Sequence, residues 1–353
     1  MLDSTIPTTY DDAPRVVIWE MTRACALACQ HCRAEAIPFR NQGELTTREA
    51  FALVDAVAEC DPATFVLTGG DPFMRDDLFK IVEYSVNKGV RTAVSPSATG
   101  RVTPESLRAL VRAGCERISL SLDAPDAAGH DAFRGVRGSF DRTLRLCEQA
   151  AEAGLSVQIN TTIGAFNHTQ IVEMAALVAG MQISLWSVFF LVPVGRAGLA
   201  DMLDAEQTEQ AFATLYALSR KLPFPLKTTE APHYRRYVLQ HGDRDARALR
   251  LPGIGDGRGF VFISHLGEVW PSGFLPHACG NVRNGSLLDM YRNDPFLRRL
   301  RTPDDFTGKC GVCEFRSVCG GSRARAYTVK GDAFTSDPAC SYIPAQWKEA
   351  VHV

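Results

Sequence analysis

Short runs of β-branched and aromatic residues alternate with helix-like segments between residues 15 and 192. Six runs have the length and composition of buried strands: RVVIW (15–19), TFVLT (64–68), RTAVS (91–95), RISLSL (117–122), SVQINTT (156–162) and LWSVFFLV (185–192). Most of them recur at intervals of 25 to 40 residues, which is the spacing of repeated βα units. The pattern predicts an α/β fold with six strands in a mainly parallel sheet.

Several of the intervening helices carry their own start signals. Thr46 followed by Glu49 is a capping box, and Thr103 followed by Pro104 is a helix N-cap with proline at the first helical position. A further helix is expected to begin at Ser139. Ligands of such sheets bind at the carboxyl ends of the strands, so we expect the functional residues directly after each strand.

The βα rhythm stops near residue 200, and this change suggests the domain boundaries. We expect an N-terminal extension over 1–14, the α/β core over 15–200 and a helical linker region over 201–257. The linker would end in the Gly- and Pro-rich run PGIGDG. The remaining segment, 258–353, holds five of the eleven cysteines in short Gly-rich stretches. It is predicted to be a small module organised by metal rather than by a large core.

Composition narrows the class of protein. Lys and Arg number 38 against 40 Asp and Glu, a balance that predicts no nucleic-acid partner. The N-terminus has no secretory signal, and no stretch approaches a membrane span, so we expect a cytoplasmic protein that does not bind membranes. In a reducing compartment the clustered cysteines are expected to bind metal. Cys60, Cys115 and Cys147 have no partner spacing and are expected in the core.

The strongest motif follows the first strand. Cys25, Cys29 and Cys32 have C-x3-C-x2-C spacing, so three thiolates on one loop can ligate three irons of a [4Fe-4S] cluster and leave the fourth open. A zinc knuckle is the alternative, although it would need a fourth ligand, for which His31 is awkwardly placed. In spacing and in position after strand 1, the motif resembles that of the radical S-adenosylmethionine (SAM) superfamily.

This resemblance implies a partial (β/α)6 barrel in which SAM chelates the open iron. Reductive cleavage of SAM would then yield a 5′-deoxyadenosyl radical that abstracts hydrogen from a substrate. Gly69, Gly70, Asp71 and Pro72 follow strand 2 and are similar to the family's GGEP motif, with Asp in place of Glu. Backbone at the two glycines would approach the SAM amino group, which residues without a Cβ permit.

The resemblance also implies further SAM contacts at the ends of the later strands. Arg134 is expected to bind the SAM carboxylate, because a planar bidentate donor suits that group. The remaining expected contacts are polar or adenine-facing residues: His31, Ser95, Ser121, Asp123, Asn160, Thr162 and Val192. Each of these residues has a plain structural role as its alternative.

A second cysteine group lies near the C-terminus. Cys310, Cys313, Cys319 and Cys340 supply four thiolates, enough for a closed [4Fe-4S] cluster or for a zinc site. Beside a radical SAM core the group resembles the SPASM/twitch module, which favours iron and sulfur. The full SPASM pattern has cysteine where this chain has Arg323, and Cys279 alone remains of an upstream pair. The resemblance therefore implies one auxiliary cluster, with Cys279 as a buried thiol, a transient ligand or a catalytic acid.

The segments Leu185–Arg196, Pro271–Pro276 and Gly280–Arg283 look most like the branch containing the alternative heme and heme d1 biosynthesis enzymes. That branch implies an oxidoreductase or lyase that oxidatively modifies tetrapyrrole side chains, for example by decarboxylation. It also implies an electron donor of the flavodoxin or ferredoxin type. Maturation of a ribosomally made peptide, and radical oxidation of a sugar or other small precursor, are the alternatives. A non-catalytic iron-sulfur or zinc protein is a further alternative, and it would need neither an open iron nor the GGDP segment.

Overall fold

The computed structural model of the protein describes residues 10–242 and 253–350. Within them, one sheet contains nine strands: β1 (Val16–Glu20), β2 (Thr64–Thr68), β3 (Thr92–Val94), β4 (Arg117–Ser121), β5 (Ser156–Ile163), β6 (Leu185–Phe190), β7 (Leu226–Thr229), β8 (Phe260–Ile263) and β9 (Val269–Trp270). Their order is β7-β6-β5-β4-β3-β2-β1-β8-β9. All neighbours are parallel except β8 and β9, which are antiparallel.

Helices connect the parallel strands, as the βα rhythm predicts. These connecting helices are α1 (Thr47–Glu59), α2 (Leu78–Asn87), α3 (Pro104–Arg112), α4 (Ala127–Arg134), α5 (Ser139–Glu152), α6 (Ile171–Ala179), α7 (Ala205–Ser219) and α8 (His233–His241). After β9 follow α9 (Leu287–Asn293), α10 (Pro295–Leu300), α11 (Gly308–Gly311), α12 (Arg323–Lys330) and α13 (Ala345–Ala350). Short 3-10 turns lie at Pro72–Met74, His168–Gln170, Leu199–Asp201 and Pro303–Asp305. The predicted capping box of Thr46 and Glu49 and the N-cap at Thr103 are both present.

The α/β class and the six predicted strands are confirmed, but the predicted strand count is too low. β7 lies in the segment expected to be a helical linker, and it pairs with β6. β8 lies in the Cys-rich segment, yet it pairs in parallel with β1, Val16 opposite Phe260. Both strands have four residues, too short to produce a clear periodic pattern in the sequence. The Cys-rich segment therefore extends the main sheet, while the domain boundaries stay a prediction.

The core lies between the sheet and its helices, where the buried alternate residues of the strands meet the inner faces of the helices. Trp19, Phe65 and Trp186 are among its largest buried side chains. Cys60, Cys115 and Cys147 belong to the same cluster, as expected. In the part of the chain that the structure describes, no helix is long and apolar enough to cross a membrane.

Candidate functional site

A cavity of about 220 Å³ opens at the carboxyl ends of strands β2 to β6, the edge at which parallel sheets bind ligands. Twelve residues predicted for the cluster and for SAM line it: Cys25, Cys29, His31, Cys32, Gly69, Gly70, Ser95, Ser121, Arg134, Asn160, Thr162 and Val192. Asp71, Pro72 and Asp123 do not line the cavity; they are buried behind its wall. The chain thus brings residues from seven separate segments to one site.

The first three cysteines form one wall of this cavity, and none is in a disulfide. The Cys25 sulfur accepts a hydrogen bond from the Leu27 amide at 3.3 Å, and the Cys32 sulfur accepts one from the Ala36 amide at 3.4 Å. The Ser97 hydroxyl lies 3.3 Å from the Cys25 sulfur. Such donors stabilise thiolates and tune the potential of iron-sulfur clusters.

The chemistry of this donor set fits a cubane cluster. Among residues 10–242 and 253–350, no three His, Cys, Asp or Glu side chains are placed to hold one metal ion. In a cubane each cysteine ligates a different iron, so the thiolates surround the cluster rather than converge on one point. Burial raises the pKa of the Cys25 thiol, so this thiol loses its proton when iron binds.

Gly69 and Gly70 pack against the backbone that leads into Cys25. A Cβ at Gly69 would lie 2.4 Å from the Thr22 carbonyl oxygen, and a Cβ at Gly70 would lie 2.4 Å from that of Ala24. The Gly70 amide donates to the Thr22 oxygen at 2.7 Å. These contacts alone explain why both positions are glycine, because any side chain there would displace the cysteine loop. The sequence suggested an approach to SAM; the structure adds this contact with the loop.

Asp71 organises the loop next to the cysteines. Its carboxylate accepts hydrogen bonds from the Thr99 hydroxyl at 2.9 Å and from the amides of Phe73 and Ser97 at 3.1 and 3.4 Å. Ser97 in turn donates to the Gly70 carbonyl oxygen at 2.8 Å and contacts Cys25. The acidic residue of the GGDP segment therefore shapes the loop from behind the cavity wall.

Lengthening this carboxylate tests how closely the loop is packed. Asp71→Glu restores the acidic residue of the family's motif, but the Asp71 side chain is completely buried. An added methylene in a well-packed site costs about 1–3 kcal/mol, so we expect a loss of that size in the free energy of unfolding. Urea unfolding measures it, with the exposed Asp76→Glu as the control. Equal stability of the two variants would contradict the packing argument.

Arg134 and Asp123 form a buried ion pair beside the cysteines. Burial alone would raise the pKa of the Asp123 carboxyl, but the Arg134 guanidinium holds it below its usual value. The other terminal nitrogen of Arg134 lies 3.7 Å from the Cys29 sulfur. The expected position of Arg134 at the cavity is present, whereas Asp123 contacts Arg134 and the Thr162 amide rather than the cavity.

His31 stacks on Phe133 with the ring centroids 4.0 Å apart and the planes 5° from parallel. Burial, together with the Arg134 charge, lowers the pKa of His31 to about 3, so the ring is neutral at neutral pH. Its buried Nδ1 atom has no hydrogen-bond partner within the described residues. A flat neutral ring at the wall of the cavity is suited to contact a heterocycle.

Sequence reasoning missed several cavity residues. Ser97 lies three residues after the end of β3, beyond the strand-end positions where contacts are expected, and Arg33 follows the last cysteine of the motif. Phe274 reaches the cavity from the C-terminal segment. Phe274 belongs to the segment Pro271–Pro276, whose sequence resembles the heme biosynthesis branch. Only the pairing of β8 with β1 brings this segment to the cavity.

The second cysteine group lines a separate, smaller cavity. Cys310, Cys313, Cys319 and Cys340 all contribute to it, and all are free thiols. The Gly321 amide donates to the Cys319 sulfur at 3.3 Å, the same kind of contact that the first group has. Cys279 lines neither cavity. It packs against the cluster around Leu275, its sulfur lies 3.6 Å from the His277 carbonyl oxygen, and its catalytic role stays a prediction.

Comparison of the chain with known proteins identifies its family. The model of the radical SAM superfamily matches residues 19–178. The AdoMet-dependent heme synthase of Nitratidesulfovibrio vulgaris is 40% identical over 352 residues, covering 96% of each chain. The chain belongs to the radical SAM superfamily. As a member, it is an enzyme that uses a [4Fe-4S] cluster and SAM, as the motif after β1 predicts.

Two further comparisons describe this radical SAM enzyme. The AdoMet-dependent heme synthase of Methanosarcina barkeri is 36% identical over 344 residues, covering 95% of this chain and 98% of that one. The crystal structure of Streptococcus suis SuiB bound to the precursor peptide SuiA superposes with a TM-score of 0.75 at 17% identity. That match covers 94% of this chain and 76% of SuiB. This second likeness concerns the fold alone.

Proposed function

We propose that this radical SAM enzyme makes heme from an iron coproporphyrin by oxidative decarboxylation of propionate side chains. The observation that carries the proposal is the 40% identity to a heme synthase over nearly the whole of both chains. An alignment of that extent reaches well beyond the radical SAM core at residues 19–178. The reaction would make the protein both an oxidoreductase and a lyase.

The cavity walls support this substrate class. Phe189, Leu191, Val192 and Phe274 place apolar surface beside the polar ends of the other strands. Apolar and aromatic side chains with a few polar groups are the usual lining of a site for a flat organic ligand. These residues belong to two of the three segments that resemble the heme branch. Gly280–Arg283 makes structural contacts instead, because Arg283 pairs with Glu49.

In this proposal Cys25, Cys29 and Cys32 would hold the SAM-binding cluster, and the chemistry it would supply is the reductive cleavage of SAM. Gly69, Gly70 and Arg134 would orient the methionyl part of SAM. Side chains at the strand ends would hold its remaining groups: His31, Ser95, Ser121, Asn160, Thr162 and Val192. Asp71, Pro72 and Asp123 would act from behind the wall by fixing the loops, because they do not reach the cavity.

The proposed reaction takes up one electron and releases one electron. A flavodoxin- or ferredoxin-like donor gives one electron for SAM cleavage, and the resulting radical removes a hydrogen atom from the propionate carbon next to the ring. The carboxylate then leaves as carbon dioxide, a vinyl group forms, and one electron is released to an acceptor. We propose an auxiliary [4Fe-4S] cluster held by Cys310, Cys313, Cys319 and Cys340 as that acceptor. The cytoplasm supplies the reducing conditions that this chemistry needs.

Turnover with a defined substrate tests the proposal. The anaerobically reconstituted enzyme, given SAM, reductant and iron-coproporphyrin III, is expected to form 5′-deoxyadenosine and carbon dioxide in equal amounts while heme accumulates. Mass spectrometry and chromatography follow all three products. Formation of 5′-deoxyadenosine that is indifferent to porphyrin, with no heme, would overturn the tetrapyrrole proposal. That result would favour a peptide or a small metabolite as the substrate.

A further inference from the structure

The auxiliary cysteines lie among buried cations that no carboxylate neutralises. Arg323 is 4% exposed and Arg258 is 8% exposed. Neither guanidinium has a carboxylate oxygen within 4.0 Å among the side chains that the structure describes. Buried charges are normally paired, because an isolated ion in a protein interior is costly. The two arginines therefore need negative charge from another source.

The contacts of Arg323 point to Cys310 as that source. Its Nη1 donates to the carbonyl oxygens of Ala333 and Thr335 at 2.9 and 2.7 Å, and its Nε donates to that of Gly321. Its Nη2 points to the Cys310 sulfur at 3.4 Å. Three neutral carbonyl groups thus fix the guanidinium, and the remaining donor meets a group that carries charge as a thiolate.

Neighbouring residues are shaped to allow this contact. A Cβ at Gly321 would lie 2.6 Å from Arg323 Nη2 and 3.3 Å from the Cys310 sulfur, so only glycine leaves room for both. The Arg323 guanidinium also lies over the Phe306 ring, 4.7 Å from its centroid. Arg258 approaches the same site from the other side, with donors to the carbonyl oxygens of Ser317 and Cys319.

Some of the other charges around the cavity are paired, but Lys309 donates to the Cys340 carbonyl oxygen at 2.7 Å and has no ion pair among the described side chains. Arg325 pairs with Asp337, and Arg236 pairs with Glu209. Asp256 accepts a hydrogen bond from the Ala324 amide and is not ion-paired to either arginine. The surplus of positive charge thus comes from Arg323, Arg258 and Lys309, of which the two arginines are buried and Lys309 is half-buried.

We propose that Arg323 is a positioning residue of the auxiliary cluster, donating to the Cys310 thiolate, and that with Arg258 it raises the reduction potential of that cluster. The inference rests on the proposed function, which places an electron-accepting cluster at these cysteines. Reduction adds negative charge to a site that four thiolates already make anionic, so nearby cations stabilise the reduced form more than the oxidised form. A raised potential suits a cluster that must take up the electron released from the substrate.

The test measures that potential directly. A chain with Cys25, Cys29 and Cys32 all changed to Ala keeps only the auxiliary site, and EPR-monitored redox titration reports its midpoint potential. In that background we expect Arg323→Gln to disfavour the reduced form about tenfold, a shift of about 59 mV to lower potential for one electron. Arg323→Lys retains the charge and is expected to shift less.

Arg316→Gln is the matched control. Arg316 lines the same cavity, but its charge is paired with Asp304 at 2.8 Å, so its loss is expected to shift the potential far less. An unmoved potential in a fully loaded Arg323→Gln chain would overturn the inference alone. If that variant fails to load, Arg258→Gln decides: a lowered potential supports the inference and an unchanged one overturns it. A background chain that takes up zinc instead of iron and sulfide would overturn the auxiliary cluster itself.

Discussion

Changing Cys25, Cys29 and Cys32 together to Ala is expected to reduce 5′-deoxyadenosine formation to the level seen without enzyme. The three thiols share one cavity wall, and nothing else there replaces three thiolates as iron ligands. Without the cluster no iron is available to bind SAM, so the loss is complete rather than partial. Quantifying 5′-deoxyadenosine by chromatography after anaerobic incubation with SAM and reductant checks the expectation.

Cys147→Ala is the matched control for this experiment. Cys147 is 4% exposed in the core, and burial raises its pKa to about 12, so it is an inert thiol. Its replacement is expected to cost about 1 kcal/mol of stability and to leave SAM cleavage intact. Persistent 5′-deoxyadenosine formation in the triple variant would remove the basis for assigning the cluster to these cysteines.

Breaking the buried Asp123–Arg134 pair is expected to have the largest effect on stability. Asp123→Leu has nearly the same shape but leaves the Arg134 guanidinium without its partner. Removing one member of a buried pair costs about 3–5 kcal/mol, a large part of the 5–15 kcal/mol that holds a typical domain together. Urea unfolding of the Asp123→Leu chain measures the loss.

The double variant Asp123→Leu/Arg134→Met separates stability from binding. With both charges replaced by apolar groups, most of the lost stability is expected to return. Affinity for SAM, measured by calorimetry on the cluster-loaded protein, is expected to stay low because the guanidinium is absent. Glu105→Gln, which breaks an exposed ion pair with Arg108, serves as control and is expected to leave the free energy of unfolding nearly unchanged. Wild-type SAM affinity in the double variant would contradict the proposed role of Arg134.

Local patterns in the sequence predict most of the strands and helices of the core, and they predict the three cysteines at the centre of the site. The six βα runs, the caps at Thr46 and Thr103 and the spacing of Cys25, Cys29 and Cys32 are all short-range signals. Each depends on residues a few positions apart, so it can be interpreted without knowing where the rest of the chain lies. The rule that ligands bind at the carboxyl ends of parallel strands then placed nine expected SAM contacts at one cavity.

Long-range packing decided the rest. Only the paired sheet shows that β8 joins β1, and this pairing carries Phe274 to a cavity formed mainly by residues before position 200. Asp71 and Asp123 are polar residues that follow a strand, as several true cavity residues are, but their carboxylates turn into the wall. There they satisfy buried hydrogen bonds and, for Asp123, a buried cation. The sequence determined by itself which local elements form and which thiols cluster; the tertiary structure decided which side chains face the cavity, because that depends on contacts between residues far apart in the chain.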